Sequence, residues 1–343
     1  MRGRVSWIAA AGVAGIVVVS PLRVQAQDLA APKCVGGPPG SAALIAQDAC
    51  QQAYDVYQLI APQLGLALAG GNATAGTGSV LGGLGHFSVG IRANVFDGLF
   101  PNTDNGGFPV STSGAQRRTL PTKGQWFGAP TADAAIGLYK GVPLALTNVL
   151  GVDALVSAEY VPTIKNNGGD FTLDPSSNFR FGYGVRIGLL SESIAFPGVS
   201  FTWIERDLPT INIGINGSSV GASGSTIDIS NMDVKTRAWR IAASKSLIAF
   251  SVAAGIGQDN YKQSATLTGT VNQLGISSPP LAAGQTLSRT NLFGDFSINL
   301  PLFKIVFEVG DALGGSVATF NSFAGGRADR SQVYGSFGLR LSR

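Results

Sequence analysis

The sequence predicts an all-β fold: an antiparallel up-and-down transmembrane β-barrel of about ten strands, preceded by one N-terminal helix that serves as a plug or as a periplasmic element. Three observations predict it. The 343-residue chain is 45% hydrophobic and only 13% charged, where an average soluble protein is roughly 25% charged, and its mean hydropathy is +0.23. Beyond the first residues no stretch has the roughly 18 to 20 apolar residues of a transmembrane helix, which leaves a closed barrel as the way to satisfy every backbone group in hydrocarbon. Apolar residues also alternate with polar residues or glycine over many segments, the pattern of a wall with one lipid face and one lumen face. The net charge of +4 is dispersed, with no basic block longer than Arg117-Arg118, so a nucleic-acid partner has no support.

The elements follow in chain order. Residues 1–26 read as a signal peptide: Arg2 and Arg4 open it, Val5 to Val19 is apolar, and Val24-Gln25-Ala26 offers a cleavage site before Gln27. Residues 27–85 form an N-terminal unit and 86–343 the barrel. Cys34 and Cys50 are the only cysteines. In an exported chain with no His or Cys nearby to complete a metal site they are expected to form a disulfide, worth about 3 kcal/mol by loop-closure entropy. From Ser41 to Leu68 the period is helical, with Ser41 as a cap and Ala46, Cys50, Ala53, Tyr57, Ile60 and Leu64 on one face. Pro62 is expected to end or bend this helix. Gly70-Gly71 should stop it, and the Gly-rich stretch to Gly85 reads as a flexible connector.

After Gly85 the period becomes two. Phe179, Phe181, Tyr183, Val185, Ile187 and Leu189 alternate with Arg180, Gly182, Gly184, Arg186 and Gly188. Strands are expected at His86 to Phe96, Thr131 to Tyr139, Val152 to Val161, Asn178 to Leu189, Val199 to Arg206, Val234 to Ala243, Leu247 to Tyr261, Arg289 to Leu300, Phe303 to Gly310 and Gln332 to Leu341. The connections alternate long and short. The long ones are Asp97–Pro130, Pro162–Ser177, Asp207–Asp233, Lys262–Ser288 and Asp311–Ser331; the shorter ones include Ser244–Ser246 and Pro301-Leu302. An even strand count, short periplasmic turns and long outer loops fit a bacterial outer-membrane barrel with both chain ends on the periplasmic side.

In the last strand Val333, Gly335, Phe337, Leu339 and Leu341 alternate with Tyr334, Ser336, Gly338 and Arg340. This resembles the terminal insertion signal of bacterial outer-membrane β-barrels, carried here by Gly335, Phe337, Leu339 and Leu341. The family usually ends on an aromatic residue, whereas this chain ends Leu341-Ser342-Arg343. The resemblance implies export to the outer membrane, with the barrel-assembly machinery and outer-membrane lipid as partners. The helix and Gly-rich connector are also similar in outline to the N-terminal plug of long-chain fatty-acid transporters, although the Asn-Pro-Ala of that family is missing and its barrels have more strands. A periplasmic cap fits the helix equally well.

The expected lumen charges are mixed in sign. Arg92, Arg180, Arg186, Arg206, Lys304 and Arg340 fall on the same side as Asp133, Asp153, Glu159, Asp259, Asp295 and Glu308. They fit a packed, ion-paired interior, since small barrels are filled by side chains, or a narrow pore with one basic wall. His86-Phe87-Ser88 is similar to the His-x-Ser of outer-membrane phospholipases and lipid A deacylases, but Val89 stands where those carry asparagine. Ten strands also match the omptin proteases, whose paired acidic and Asp-His groups a single histidine at the opposite end does not supply. Asp104 and Asn105 fit no defined calcium loop, and no cofactor or metal is expected. Three functions follow: passive or plug-gated passage of a small-molecule solute, a structural or surface-interaction barrel working through its outer loops, and an outer-membrane lipid hydrolase.

Overall fold

Alternating side chains give a strand two chemically different faces, and a sheet of such strands hides its polar face by closing on itself. The computed structural model describes residues 30–103, 108–144, 146–165, 171–217 and 225–342; the leader, its cleavage site and Asp104-Asn105 lie outside them. Ten antiparallel strands form the ring: β1 (Phe87–Pro101), β2 (Thr122–Tyr139), β3 (Gly151–Tyr160), β4 (Phe179–Leu190), β5 (Gly198–Asp207), β6 (Thr226–Ser246), β7 (Phe250–Val271), β8 (Leu281–Asn299), β9 (Lys304–Ala312) and β10 (Gln332–Ser342). Each pairs with its chain neighbours. The ring closes where β10 meets β1, from Ser88 opposite Ser342 to Phe96 opposite Tyr334.

All ten expected strands form, and five reach further toward the long loops than the alternation suggested. The expected loop Lys262–Ser288 is mostly strand: Lys262 pairs with Thr286, and pairing continues to Leu267 opposite Leu281. Here the outward side chains are polar (Lys262, Ser264, Thr286, Ser288), so the lipid signature fades while the hydrogen-bonded ladder does not. The upper part of β6 extends for the same reason, with Thr226, Asp228 and Ser230 facing outward, and β1 and β2 extend together from Asp97 opposite Trp126 to Pro101 opposite Thr122. Above the ring, Ile211–Asn216 joins β6 to Phe171–Pro175, and Thr119-Leu120 pairs in parallel with Ser322-Phe323, tying two long loops together.

The helix α1 (Ala42–Ala69) lies inside the barrel, not on its rim. Every residue from Asp48 to Ala69 except Tyr54 is buried, so burial is all round and not confined to the expected stripe. α1 enters from the long-loop end. Its first turns meet the top of β7, where a Cβ on Gly269 would lie 2.4 Å from the Ala49 backbone, and further down a Cβ on Gly65 would lie 2.7 Å from the Tyr261 ring. The connector continues to the short-turn end, where Val80 packs against Gly151 and Gly188. The described residues therefore begin and finish at opposite ends of the barrel, whereas the loop pattern predicts both termini on the periplasmic side: at the long-loop end the Ala30 N–H donates to Thr319 O at 3.0 Å.

Two local expectations about the helix also change. Ser41 occupies the cap position, but its hydroxyl donates to Pro38 O and caps nothing. Pro62 neither ends nor breaks the helix. A proline leaves the carbonyl four residues earlier without its N–H partner; here that carbonyl, Gln58 O, accepts from Gln285 Nε2 of β8 at 3.3 Å. The wall supplies the missing donor.

The plugged lumen as candidate functional site

An α-helix ends with four carbonyls lacking intrahelical partners and with the negative pole of its dipole. In α1 that end sits at mid-lumen among arginines from three strands. Arg206 of β5 donates to Leu68 O at 3.4 Å, Arg240 of β6 to Ala69 O at 3.2 Å, and Arg92 of β1 to Gly70 O at 2.8 Å. Asn94 adds bonds to Gly70 O and Ala67 O. Gly71 follows at φ 77°, where a Cβ would fall 2.3 Å from Arg92 Nη1, so only glycine passes between the arginine and Asn94. The guanidinium groups are themselves held: Arg92 by Asp133 at 2.5 Å, Arg206 by Glu159 at 3.0 Å and Asp133 at 3.4 Å, and Arg240 by Asp259 at 2.5 Å.

Below the helix the signs reverse. The connector runs without regular structure, so its N–H groups need acceptors, and wall carboxylates provide them. Glu308 accepts from Asn72 N and Asp295 from Gly76 N, each at 2.9 Å, and Asp153 accepts from Leu81 N at 3.2 Å. Arg340 bonds Thr74 O and Ala75 O. Asp153 also pairs with Arg186 at 2.6 Å, both side chains being fully buried. The mixed charges thus grip a backbone: cations hold helix carbonyls, anions hold connector amides. One pocket beside the connector, lined by Asn72 to Ala75, Arg92, Asp133 and Arg340 among others, has about 30 Å³, room for a water or two.

Two carboxylates seven residues apart on α1 fix the long loops. Asp48 accepts from Ser111 N at 2.7 Å, Gln116 N at 3.3 Å and Arg118 Nη2 at 2.8 Å. Asp55 accepts from Phe320 N, Asn321 N and Asn321 Nδ2 at 3.0, 2.9 and 2.8 Å. Burial raises both carboxyls, Asp48 against the pull of its donors and Arg118, and Asp55 to about 6. Gln63 completes the seating where β1 runs past its last pair with β10, bonding both Leu99 N and Leu99 O. Between the two aspartates, Cys50 is bridged to Cys34 and ties the segment ahead of α1 to the helix. It borders a cavity of about 650 Å³ at the long-loop mouth, lined by Lys33, Val35, Ala46, Ile276, Pro280 and Leu281 among others. A second cavity, about 390 Å³ and largely apolar, opens on the lipid face beside Pro130 and reaches Arg92 and Thr131.

Of the expected lumen charges, Arg180 stands apart: it is exposed at the rim, one pair beyond the Ser157–Gly182 level where β4 begins to bury its inward residues. Lys304 is half-buried at the short-turn end. Arg240 and Arg289 are fully part of the interior and were legible in principle, since each shares the parity of buried neighbours on its strand. His86 and Ser88 do not act on each other: His86 is exposed with Nδ1 near Gly83 O, whereas Ser88 is buried and accepts from Arg340 Nε at 2.6 Å. Gly335, Phe337, Leu339 and Leu341 lie along β10, and Phe337 packs on Phe307 of β9 at 5.3 Å. Among the described residues no helix is long and apolar enough to cross a membrane, and no three His, Cys, Asp or Glu side chains cluster as metal ligands.

No family model and no curated protein sequence matches the chain. Among solved structures it is similar to a deltaS2S3 mutant of the monoaromatic hydrocarbon channel TodX, at 11% identity and TM-score 0.31 over 81% of this chain and 74% of that one. It is similar to the Ralstonia pickettii toluene transporter TbuX at 14% identity and TM-score 0.31, covering 81% of this chain and 76% of that one. For the Escherichia coli AIDA-I autotransporter transport unit the values are 9%, 0.26, 85% and 98%. At these values no residue correspondence carries over, and the assignment as an outer-membrane-type barrel rests on the closed ring itself.

Proposed function

We propose that this chain is a plug-gated conduit for small molecules in the bacterial outer membrane, with its long loops outside and its short turns in the periplasm. One observation carries the reading: a discrete segment of the same chain runs through the lumen from end to end, attached to the wall by side-chain hydrogen bonds rather than by strand pairing. A barrel serving only as a scaffold of this size can fill itself with side chains. The mouth cavity, whose only polar side chains are those of Lys33, Gln47, Ser277 and Ser278, favours a largely apolar solute. Export through a cleaved leader, insertion by the barrel-assembly machinery acting on the last strand, and an outer-membrane lipid surround belong to the same proposal. The partners of His86 and Ser88 favour no hydrolase.

The test is a reversible lock. Gly65 and Tyr261 face each other closely enough that a Cβ on Gly65 would touch the ring, so the pair Gly65→Cys/Tyr261→Cys can bridge α1 to β7. In planar bilayers the oxidised variant should stay silent and the reduced one should show opening events, with wild type under the same reductant as the control. Equal flux in the two states means solutes bypass the plug. Silence of the reduced variant and of wild type sinks the conduit.

A further inference from the structure

The short-turn end carries a ring of apolar tips that the conduit does not explain. Each of four turns ends in an exposed aliphatic residue: Leu146 between β2 and β3 (71% exposed), Ile194 between β4 and β5 (102%), Ile248 between β6 and β7 (103%) and Leu302 between β8 and β9 (77%). Turns that face water are built from Gly, Asn, Asp and Ser; these read Leu247-Ile248-Ala249 and Leu300-Pro301-Leu302-Phe303. Single exposed apolar residues need no account, but the same feature on turn after turn marks a contact surface.

The height of the lipid-facing belt says what covers it. A strand rises about 3.3 Å per residue and tilts about 40° in such barrels, giving roughly 2.5 Å of height per residue against a belt of about 25 Å. On β4 the outward apolar run from Phe179 to Leu189 spans about that height. On the three strands that follow it does not. Outward residues are apolar only from Phe250 to Ile256 on β7, from Trp239 to Ala243 on β6 and from Val199 to Trp203 on β5, and above them stand Gln258, Arg237 and Glu205. These runs supply about 10 to 15 Å. Above them the wall is charged, with Arg237 68% exposed in its pair with Glu205, so the missing height lies below, on the turns. Charge agrees with this placement. Glu192 is the one acidic residue in those four turns, and it is engaged by Ser246 N. Lys140, Lys245 and Lys304 stand at the strand ends, with Lys245 Nζ holding the carbonyls of Ser193, Ile194 and Phe196.

We propose that the turn rim is embedded in the periplasmic leaflet, its aliphatic tips at the headgroup–acyl boundary of phospholipid and its lysines extending their ammonium groups from the strand ends down toward the phosphates. The lipid belt therefore continues onto the turns, and the barrel sits deeper on its β5–β7 side than its strands alone indicate. The inference rests on the membrane reading above but not on gating.

Both native cysteines are bridged, so single nitroxide labels at Ile248→Cys, Leu302→Cys, Phe296→Cys and Leu274→Cys report depth in phosphatidylcholine–phosphatidylglycerol vesicles. Phe296 is the lipid-facing control and Leu274 the long-loop control. Power saturation should show Ile248 and Leu302 colliding with oxygen over a water-soluble nickel chelate at least several-fold more than Leu274 does. Nickel access at Ile248 equal to that at Leu274, with Phe296 protected, overturns the inference and leaves the membrane barrel standing. Nickel access at Phe296 as well removes the membrane reading itself. Protection of Ile248 only in native envelopes, not in pure lipid, means a protein covers the rim and likewise overturns the lipid assignment.

Discussion

Replacing Asp55 with asparagine tests whether the plug is seated by a buried carboxylate. Asp55 is fully buried, receives three hydrogen bonds from the loop at Phe320 and Asn321, and has its carboxyl raised from 3.8 to about 6, chiefly by burial. The seated group thus holds a proton in a range where the hydrated group does not. A raised acid favours seating most below pH 3.8, and that contribution is lost as pH rises through about 6. The full swing is about 3 kcal/mol, and between pH 5 and pH 8 the linkage relation leaves about a tenfold change in the opening equilibrium. Amide hydrogen exchange at Phe320 and Asn321, corrected for intrinsic rates, reads that equilibrium directly. Wild type should be about tenfold less protected at pH 8 than at pH 5. The Asp55→Asn variant should lose most of that slope, keeping only the share that Asp48, shifted in the same direction, contributes. Protection that rises with pH, or a slope that survives the substitution unchanged, refutes the reasoning.

Two substitutions probe the grip elsewhere. Arg186→Leu leaves Asp153 as a buried charge without its cation and should cost about 3 to 5 kcal/mol, while the double change Arg186→Leu/Asp153→Leu should recover much of it; denaturant unfolding in micelles checks this, and equal losses in the single and double variants would falsify it. Gln285→Leu removes the donor that serves Gln58 O across from Pro62 and should cost about 1 to 3 kcal/mol. Adding Pro62→Ala restores a backbone N–H to that carbonyl, so the melting temperature of the double variant should return toward wild type; if it does not, the wall bond is not what lets the helix run through its proline.

The parts of this fold that could be read in advance are those a local pattern encodes. Period-two alternation in Phe179 to Leu189 tells one face from the other whatever surrounds the strand, and it located all ten wall strands. It failed above Lys262 and below Asp233 because the pattern tracks lipid, whereas pairing tracks the backbone, and the wall outlasts the membrane. The plug was legible only in part. A helix resting on a rim needs a charged face toward water, yet α1 carries no Lys, Arg or Glu, two aspartates and five glutamines. That composition suits a helix enclosed on all sides by groups able to bond amides and carboxylates, and so weighs for the lumen over the rim. Its direction was not legible, because that depends on where Leu68 O, Ala69 O and Gly70 O end, and the three arginines that meet them come from positions 92, 206 and 240. No local window contains that meeting. The same holds for Asp48 and Asp55: as aspartates on a helix they suggest a solvated face, and only the loops at 111–118 and 320–321, folded over the mouth, turn them into the fastening of the plug. What the lumen charges do is therefore decided by the segment threaded between them, and a change to that segment should alter the barrel's interior more than any single exchange on its wall.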